Sequence, residues 1–456
     1  MANVSPAENA EKTSLAKNNQ SNEGIRSFVA GMNSPTDATS SSTAAASEPD
    51  TIDCSPSPYP ETAVASATKK GQTVRVEDAA GGWAIAKDRG SPATATDSGS
   101  GNSVAIDTAK KGGKATSTNT GDGAAVALAQ GKGDTATATN DGSGVAVADA
   151  KGKNTTATAD NTGAGAAKAE TKGDKTTATA DNTGKGVAAA EATGHRTTAT
   201  ADNTGKGSAT SDAHGVGTTA SATNDGKGSA SSDSTGRNTT ATSNNDGSGS
   251  AAADSTGHRT TATADNTGKG SATSDAHGVG TTASATNDGK GSASSDSTGR
   301  YTNATSNNNG DGTATADASG RRSSSTAINW DSGNALSISQ SDGGNSLSFN
   351  DGGNALSITT GKDGNSVAIN FDPGYAEAMD FGKDGTSVAF NDGNGNSQAY
   401  DNGKYGYASA LNQGDGTSYA KNDAFKGDAE AVNQNCDDFS SWADNLIAQV
   451  TADPGA

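Results

Sequence analysis

The sequence predicts an all-β protein, a repetitive β-solenoid or β-roll with coils of about 21 residues and two short strands per coil. Three observations predict it. Block 194–237 recurs letter for letter as 257–300, a shift of 63 residues or three units of 21. Threonine marks the register at Thr156, Thr177, Thr198, Thr219, Thr240, Thr261 and Thr282, with Thr158, Thr179, Thr200, Thr242 and Thr263 two residues along. Strand-like fragments closed by Asp or Asn and a glycine-containing turn return about every ten or eleven residues. A unit this small cannot bury its own apolar face and must stack on its copies.

Composition bounds the alternatives. Leu, Ile, Val and Phe are scarce and the apolar share is mostly alanine, a composition that by itself describes a disordered chain. Strict periodicity argues the other way, because a merely solvating chain has no reason to keep it. The chain carries 33 Lys and Arg against 52 Asp and Glu, a net charge of −19. Of this, −13 falls in residues 331–456, with five Lys and eighteen acidic residues. Nucleic acid is therefore not an expected partner.

The segments follow in order. Residues 1–60 read as a disordered leader ending in the Pro-rich hinge Ser55-Pro-Ser-Pro-Tyr-Pro60, and they contain no apolar run fit for a signal or a membrane span. Residues 61–101 contain the alternating strands Gln72-Thr-Val-Arg-Val-Glu77 and Gly82-Trp-Ala-Ile-Ala86, expected as an N-terminal cap. Residues 102–318 are the Ala/Thr/Ser-rich repeats, and 319–433 are acidic Gly/Asn-rich coils with larger apolar residues. In 434–456, Phe439, Trp442, Leu446 and Val450 share one stripe of an expected amphipathic helix that would cover the last coil.

Each fragment shares a pattern of small or apolar, any, small or apolar, then Asp or Asn, as in Ala157-Thr-Ala-Asp160 and Val367-Ala-Ile-Asn370. Residues two apart on a strand share a face. Ala157, Ala159, Val367 and Ile369 are thus expected inside, and Thr156 and Thr158 outside. On this reading Leu336, Ile338, Leu347, Phe349, Leu356, Ile358, Val367 and Ile369 fill the later coils and make them the stable ones. Turn glycines such as Gly163, Gly184, Gly226 and Gly364 supply the corners. Strands stacked about 4.8 Å apart would give about seventeen coils and a rod roughly 80 Å long, with Cys54 and Cys436 too far apart to pair.

No catalytic or metal constellation emerges. The histidines His195, His214, His258 and His277 are two residues copied by the duplication, each beside glycine and with no cysteine at ligand spacing. The carboxylates sit at turns without apolar pockets to raise a pKa for acid–base work. Neither an enzyme activity nor a cofactor is expected.

Gly101-Asn-Ser-Val-Ala-Ile-Asp107 and Gly364-Asn-Ser-Val-Ala-Ile-Asn370 resemble the short strands of trimeric autotransporter head domains. Asp342-Gly-Gly-Asn-Ser-Leu-Ser-Phe349 resembles the glycine-rich β-rolls of RTX proteins. Both families are bacterial and extracellular, and the resemblance covers the repeat region. The RTX pattern would place Asp after Gly-Asn, where this chain has Ala335, Ser346 and Ala355, so the resemblance does not extend to calcium ligation.

The expected function is that of a non-catalytic extracellular or surface-associated repeat protein, a spacer, matrix component or adhesive rod that self-associates or meets a surface polymer. It would be exported without a cleaved N-terminal signal, with the cytoplasm as the other location, and without membrane insertion. The alternative is ice or carbohydrate-lattice binding by the Thr-Ala-Thr face. Its residues are Thr156, Thr158, Thr177, Thr179, Thr198, Thr200, Thr219, Thr240, Thr242, Thr261, Thr263 and Thr282.

Overall fold

Alternating small and polar residues punctuated by glycine produce one continuous parallel sheet, wound upon itself. The computed structural model describes residues 92–371, 373–423 and 427–433, and the strand segments 51–54, 63–66, 73–78, 83–88 and 441–445. These form thirty-six strands and include no helix. Most strands pair in parallel with the second strand along, so two strands make one coil; Gly228–Asn245 and Gly249–Asn266 each run through a whole coil and pair with each other, and in the repeats 21 residues advance the chain to the next. In register, Thr156 lies beside Thr177 and Asn161 beside Asn182. Every interior strand has a neighbour on both sides, which satisfies the backbone without a thick core.

The two strands of a coil face one another across a narrow interior. In Thr156–Asn161 the residues Ala157, Ala159 and Asn161 are buried and Thr156, Thr158 and Asp160 half-exposed. In Ala166–Asp174, Ala167, Ala169 and Thr171 point inward. The interior is so thin that a serine on one strand reaches the backbone opposite. Ser211 Oγ donates to Ala199 O at 2.8 Å and accepts from Ser221 N at 2.8 Å, and the duplicated Ser274 does the same with Ala262 and Ser284. Packed sheets ordinarily lie about 10 Å apart; short side chains, chiefly Ala and Ser with Thr and Asn near the strand ends, permit this closer approach.

One buried column holds the coils in register. Asn140, Asn161, Asn182, Asn203 and their successors to Asn391 each donate one amide proton to the next asparagine's Oδ1, at 2.7 to 3.2 Å, the last acceptor being Asn412. The second proton of most of them goes to a turn carbonyl two residues on, as from Asn182 to Gly184 O at 3.1 Å. An Asn at the strand end thus satisfies itself, its turn and the next coil at once.

At the opposite corner one residue per coil adopts the left-handed conformation, for example Lys175 at φ 58° and Arg196 at φ 57°. The glycine two positions earlier stacks directly on its counterpart. A Cβ on Gly194 (φ 145°) would lie 1.6 Å from Gly173 O. Gly194→Ala is therefore expected to destabilise by about 1–3 kcal/mol, seen as a lower denaturation midpoint; an unchanged midpoint would show that the coils do not touch here.

The large apolar residues of the later coils are outside. Leu336, Ile338, Leu347, Phe349, Leu356, Ile358, Val367 and Ile369 stand on outer faces, while Ala335, Ser337, Ser346, Ser348, Ala355 and Ala368 fill the interior. The expectation failed by one residue. Asn370 pairs with Asn350 and Asn391 in the asparagine column, so its counterpart in the repeats is Asn161 and not Asp160. Because side chains alternate with period two, a slip of one exchanges the faces. The interior is accordingly of one kind throughout, and the later coils have no larger core to stabilise them.

The stack also takes in Thr51–Cys54 and Ala63–Ser66, which pair with Thr73–Asp78 and Trp83–Asp88. The expected leader up to residue 50, the hinge at 55–60 and Cys436 lie outside the described residues. So does most of the expected C-terminal helix. Its centre, Ser441–Asn445, is instead a strand parallel to Gly416–Asn422, where continuing the ladder satisfies an edge that a helix would leave open.

Candidate functional site

The outer faces carry the candidate residues, and the first candidate is the threonine array. Thr156, Thr177, Thr198, Thr219, Thr240, Thr261 and Thr282 form one column, strand beside strand. Thr158, Thr179, Thr200, Thr242 and Thr263 form the second, interrupted by Ser221. All twelve point outward because the alanines between them face the interior. Threonines would lie about 7 Å apart along a strand and about 4.8 Å apart between coils. The array reaches further than the twelve: Thr135 and Thr137 precede it and Thr305 and Thr326 continue the second column.

A third column borders the threonines. It holds Asp160, Asp181, Asp202, Thr223, Asn244 and Asp265 in register. Burial raises the carboxyl pKa of Asp160, Asp181 and Asp265, and stacked neighbours add to it at Asp181. The face is thus a Thr-Thr-Asp surface, a feature missed because Asp160 was assigned to the turn.

The opposite sheet carries an uninterrupted carboxylate column: Asp149, Glu170, Glu191, Asp212, Asp233, Asp254, Asp275, Asp296 and Asp317. Its cations are few. Lys151 pairs with Asp149 at 2.6 Å, Lys168 with Glu170 at 3.8 Å, and His214, within its strand, with Asp212 at 2.9 Å. That bond with Asp212 raises the His214 pKa. Asp233 is pushed up to about 6, by burial first and then by Asp212 and Asp254.

An unfolded aspartate titrates near 4, so Asp233 retains a proton in the folded state that the unfolded chain has released. Its contribution to stability is present at low pH and is lost as pH rises through about 6. Asp233→Asn is expected to raise the thermal midpoint at pH 8 by about a degree or two, and the gain should vanish near pH 4. A gain that persisted unchanged at pH 4 would assign it to something other than charge.

In the later coils the same columns become apolar. The position of Thr158 is taken by Leu347, Val367 and Val388, and that of Asp160 by Ile328, Phe349, Ile369, Phe390 and Leu411. Rings join along the stack: Trp330 to Phe349 at 4.8 Å, Phe349 to Phe371 at 5.2 Å and Phe371 to Phe390 at 6.1 Å between centroids. Trp330 is 50% exposed and Phe371 41%. The Ala335, Ser346 and Ala355 positions that follow Gly-Asn point into the interior.

Fold and surface together define a parallel β-solenoid repeat protein. Comparison with known protein families, curated proteins and solved structures finds no match to this chain.

Proposed function

We propose that the chain is a non-catalytic structural repeat protein, a rod that acts at a cell surface or in an extracellular matrix as a spacer or adhesive element. The observation that carries this reading is the unbroken register. The interior columns of Ala, Ser and Asn hold the outer faces as long in-register columns, polar and acidic in the repeats, with one of them apolar from Ile328 to Leu411. Such a stack supports extent and surface, and its apolar stretch suits self-association or contact with a surface polymer. Export without a cleaved signal and without membrane insertion belongs to this proposal.

The test is fractionation of the native host with mass spectrometry of the recovered N-terminus. The expected result is protein labelled on intact cells by a membrane-impermeant reagent, with the N-terminus uncut. Recovery solely inside the cell would contradict the proposal.

The threonine columns support a second reading, binding to ice or to a carbohydrate lattice. Two in-register columns of methyl and hydroxyl groups make a flat, regularly spaced surface. Under this reading the native chain inhibits ice recrystallisation or adsorbs to a crystalline polysaccharide. Replacing Thr198, Thr219 and Thr240 with Lys should abolish either activity with the fold retained, since all three point outward. A native chain inactive in both assays removes the reading.

A further inference from the structure

We propose that Asp380 and Asp401 are held as a pair of carboxylic acids inside the last coils, and that loss of their protons opens these coils, making residues 375–423 a pH-operated latch. The argument begins with the column they occupy. Thr359, Asp380, Asp401 and Asn422 stack in register, and all four are buried. The flanking members are hydrogen-bond donors to the turn that follows. Thr359 Oγ1 donates to Asn365 O at 2.9 Å. Asn422 Nδ2 donates to Asp428 O at 3.0 Å and to Gly406 O, in the preceding coil, at 2.7 Å.

The two aspartates sit in the same place with an oxygen where the donor should be. Each uses Oδ1 to accept a turn amide, from Gly382 at 3.0 Å and from Gly403 at 2.8 Å. Asp380 leaves Oδ2 buried with no hydrogen-bond partner, and Asp401, whose carboxyl also meets the backbone amide of Tyr407, leaves its Oδ2 buried with no side-chain donor. Those oxygens are packed under glycines: a Cβ on Gly385 would lie 1.3 Å from Asp380 Oδ2, and one on Gly406 2.0 Å from Asp401 Oδ2. At the next turn a Cβ on Gly427 would meet Asn422 Nδ2 at 2.1 Å and Gly406 O at 2.5 Å. The Asp Oδ2 atoms therefore take the place of an amide nitrogen. A protonated oxygen there can donate as its neighbours do, and an ionised one cannot.

The surroundings offer no countercharge to the column. Thr359 and Asn422 are uncharged, so each aspartate has the other as its ionisable neighbour in the stack. The turns carry Lys383 paired with Asp384 at 3.9 Å, Lys404 over the Tyr405 ring, and Lys421 paired with Asp423 at 2.8 Å. Glu377 and Tyr400 stand on the outer faces of the same strands, and Tyr407 donates to Glu430 at 2.8 Å. No side chain among these donates to either Oδ2. Burial first, against the Gly382 amide and with Asp401 adding to it, pushes Asp380 up to about 7, and burial pushes Asp401 up to about 6 against the amides of Gly403 and Tyr407.

The sign follows from linkage. The unfolded aspartates titrate near 4, so between that value and 7 the folded pair keeps protons the open chain has released. The stability it contributes is present at low pH and lost as pH rises through 6 to 7.

Hydrogen exchange of the full chain, read by mass spectrometry and corrected for the intrinsic pH dependence of exchange, tests this. Protection of residues 375–423 is expected to fall at least about tenfold between pH 5.5 and 8.5, the change carried by a single unit of pKa shift, measured relative to the repeats at 156–300. The double variant Asp380→Asn with Asp401→Asn should keep its protection at pH 8.5. So should Asp380→Thr with Asp401→Asn, which copies the flanking donors. Flat relative protection in the native chain would overturn the proposal, and so would the same pH-dependent loss in either variant.

Discussion

Asn224→Asp is expected to cost about 3–5 kcal/mol at neutral pH, the range for leaving a buried charge without its partner. Asn224 accepts from Asn203 at 2.7 Å and donates to Asn245 at 2.8 Å and to Gly226 O at 3.0 Å. A carboxylate keeps the accepting role and loses both donations, so two acceptors face it inside the stack. Protonation restores a donor. The variant should therefore recover stability as pH falls through its raised pKa. Asn224→Ala should cost less, about 1–3 kcal/mol for the groups left unpaired, and should show no such recovery. Because coils stabilise their neighbours in a one-dimensional array, exchange protection should drop most in the coils on either side. Equal losses for Asp and Ala at every pH would mean that the asparagines are not bonded as a column.

Ala368→Leu should cost more than about 3 kcal/mol, while Val367→Ser should cost about 0.5–1 kcal/mol. Ala368 is fully buried between sheets close enough for Ser357 Oγ to reach Ser346 O at 2.7 Å, and three added carbons have nowhere to go. Overpacking in an ordinary core costs about 1–3 kcal/mol because neighbours can shift; here the neighbours are backbone. Val367 is half-exposed in an outer apolar column, so its loss removes surface contact alone. Chemical denaturation of the two variants decides the matter. The opposite ranking would return Val367 and Ile369 to the interior.

The contrast shows what the sequence made legible and what it did not. The 21-residue period, the two-strand coil and the outward threonines were readable because the repeats between 156 and 282 alternate Thr and Ala without ambiguity. The later coils were misread because Ser346-Leu347-Ser348-Phe349 alternates just as cleanly with the opposite phase. Hydrophobicity argued for Leu347 inside, but the bore admits serine and alanine and excludes leucine, a limit set by the narrow separation of the sheets.

The asparagine column was visible in outline, since Asn161, Asn182, Asn203 and Asn224 repeat at the coil period. Its role was hidden because Asn before a glycine is the ordinary mark of a turn. Aligning on Asn and not on the preceding Asp would have exposed both the column and the phase of the later coils. The carboxylate column from Asp149 to Asp317 was lost for the same reason, each member having been read as a turn residue.

Distances measured along one outward column test the stacking most directly. Thr135 and Thr261 are six coils and 126 residues apart, and Thr135 and Thr386 are twelve coils apart. With Cys54 and Cys436 replaced by serine, spin labels at these pairs should give narrow distributions centred near about 29 Å and about 58 Å, in the ratio one to two. A flexible chain would place the first pair broadly around about 60 Å, and that result would contradict the stacked coil.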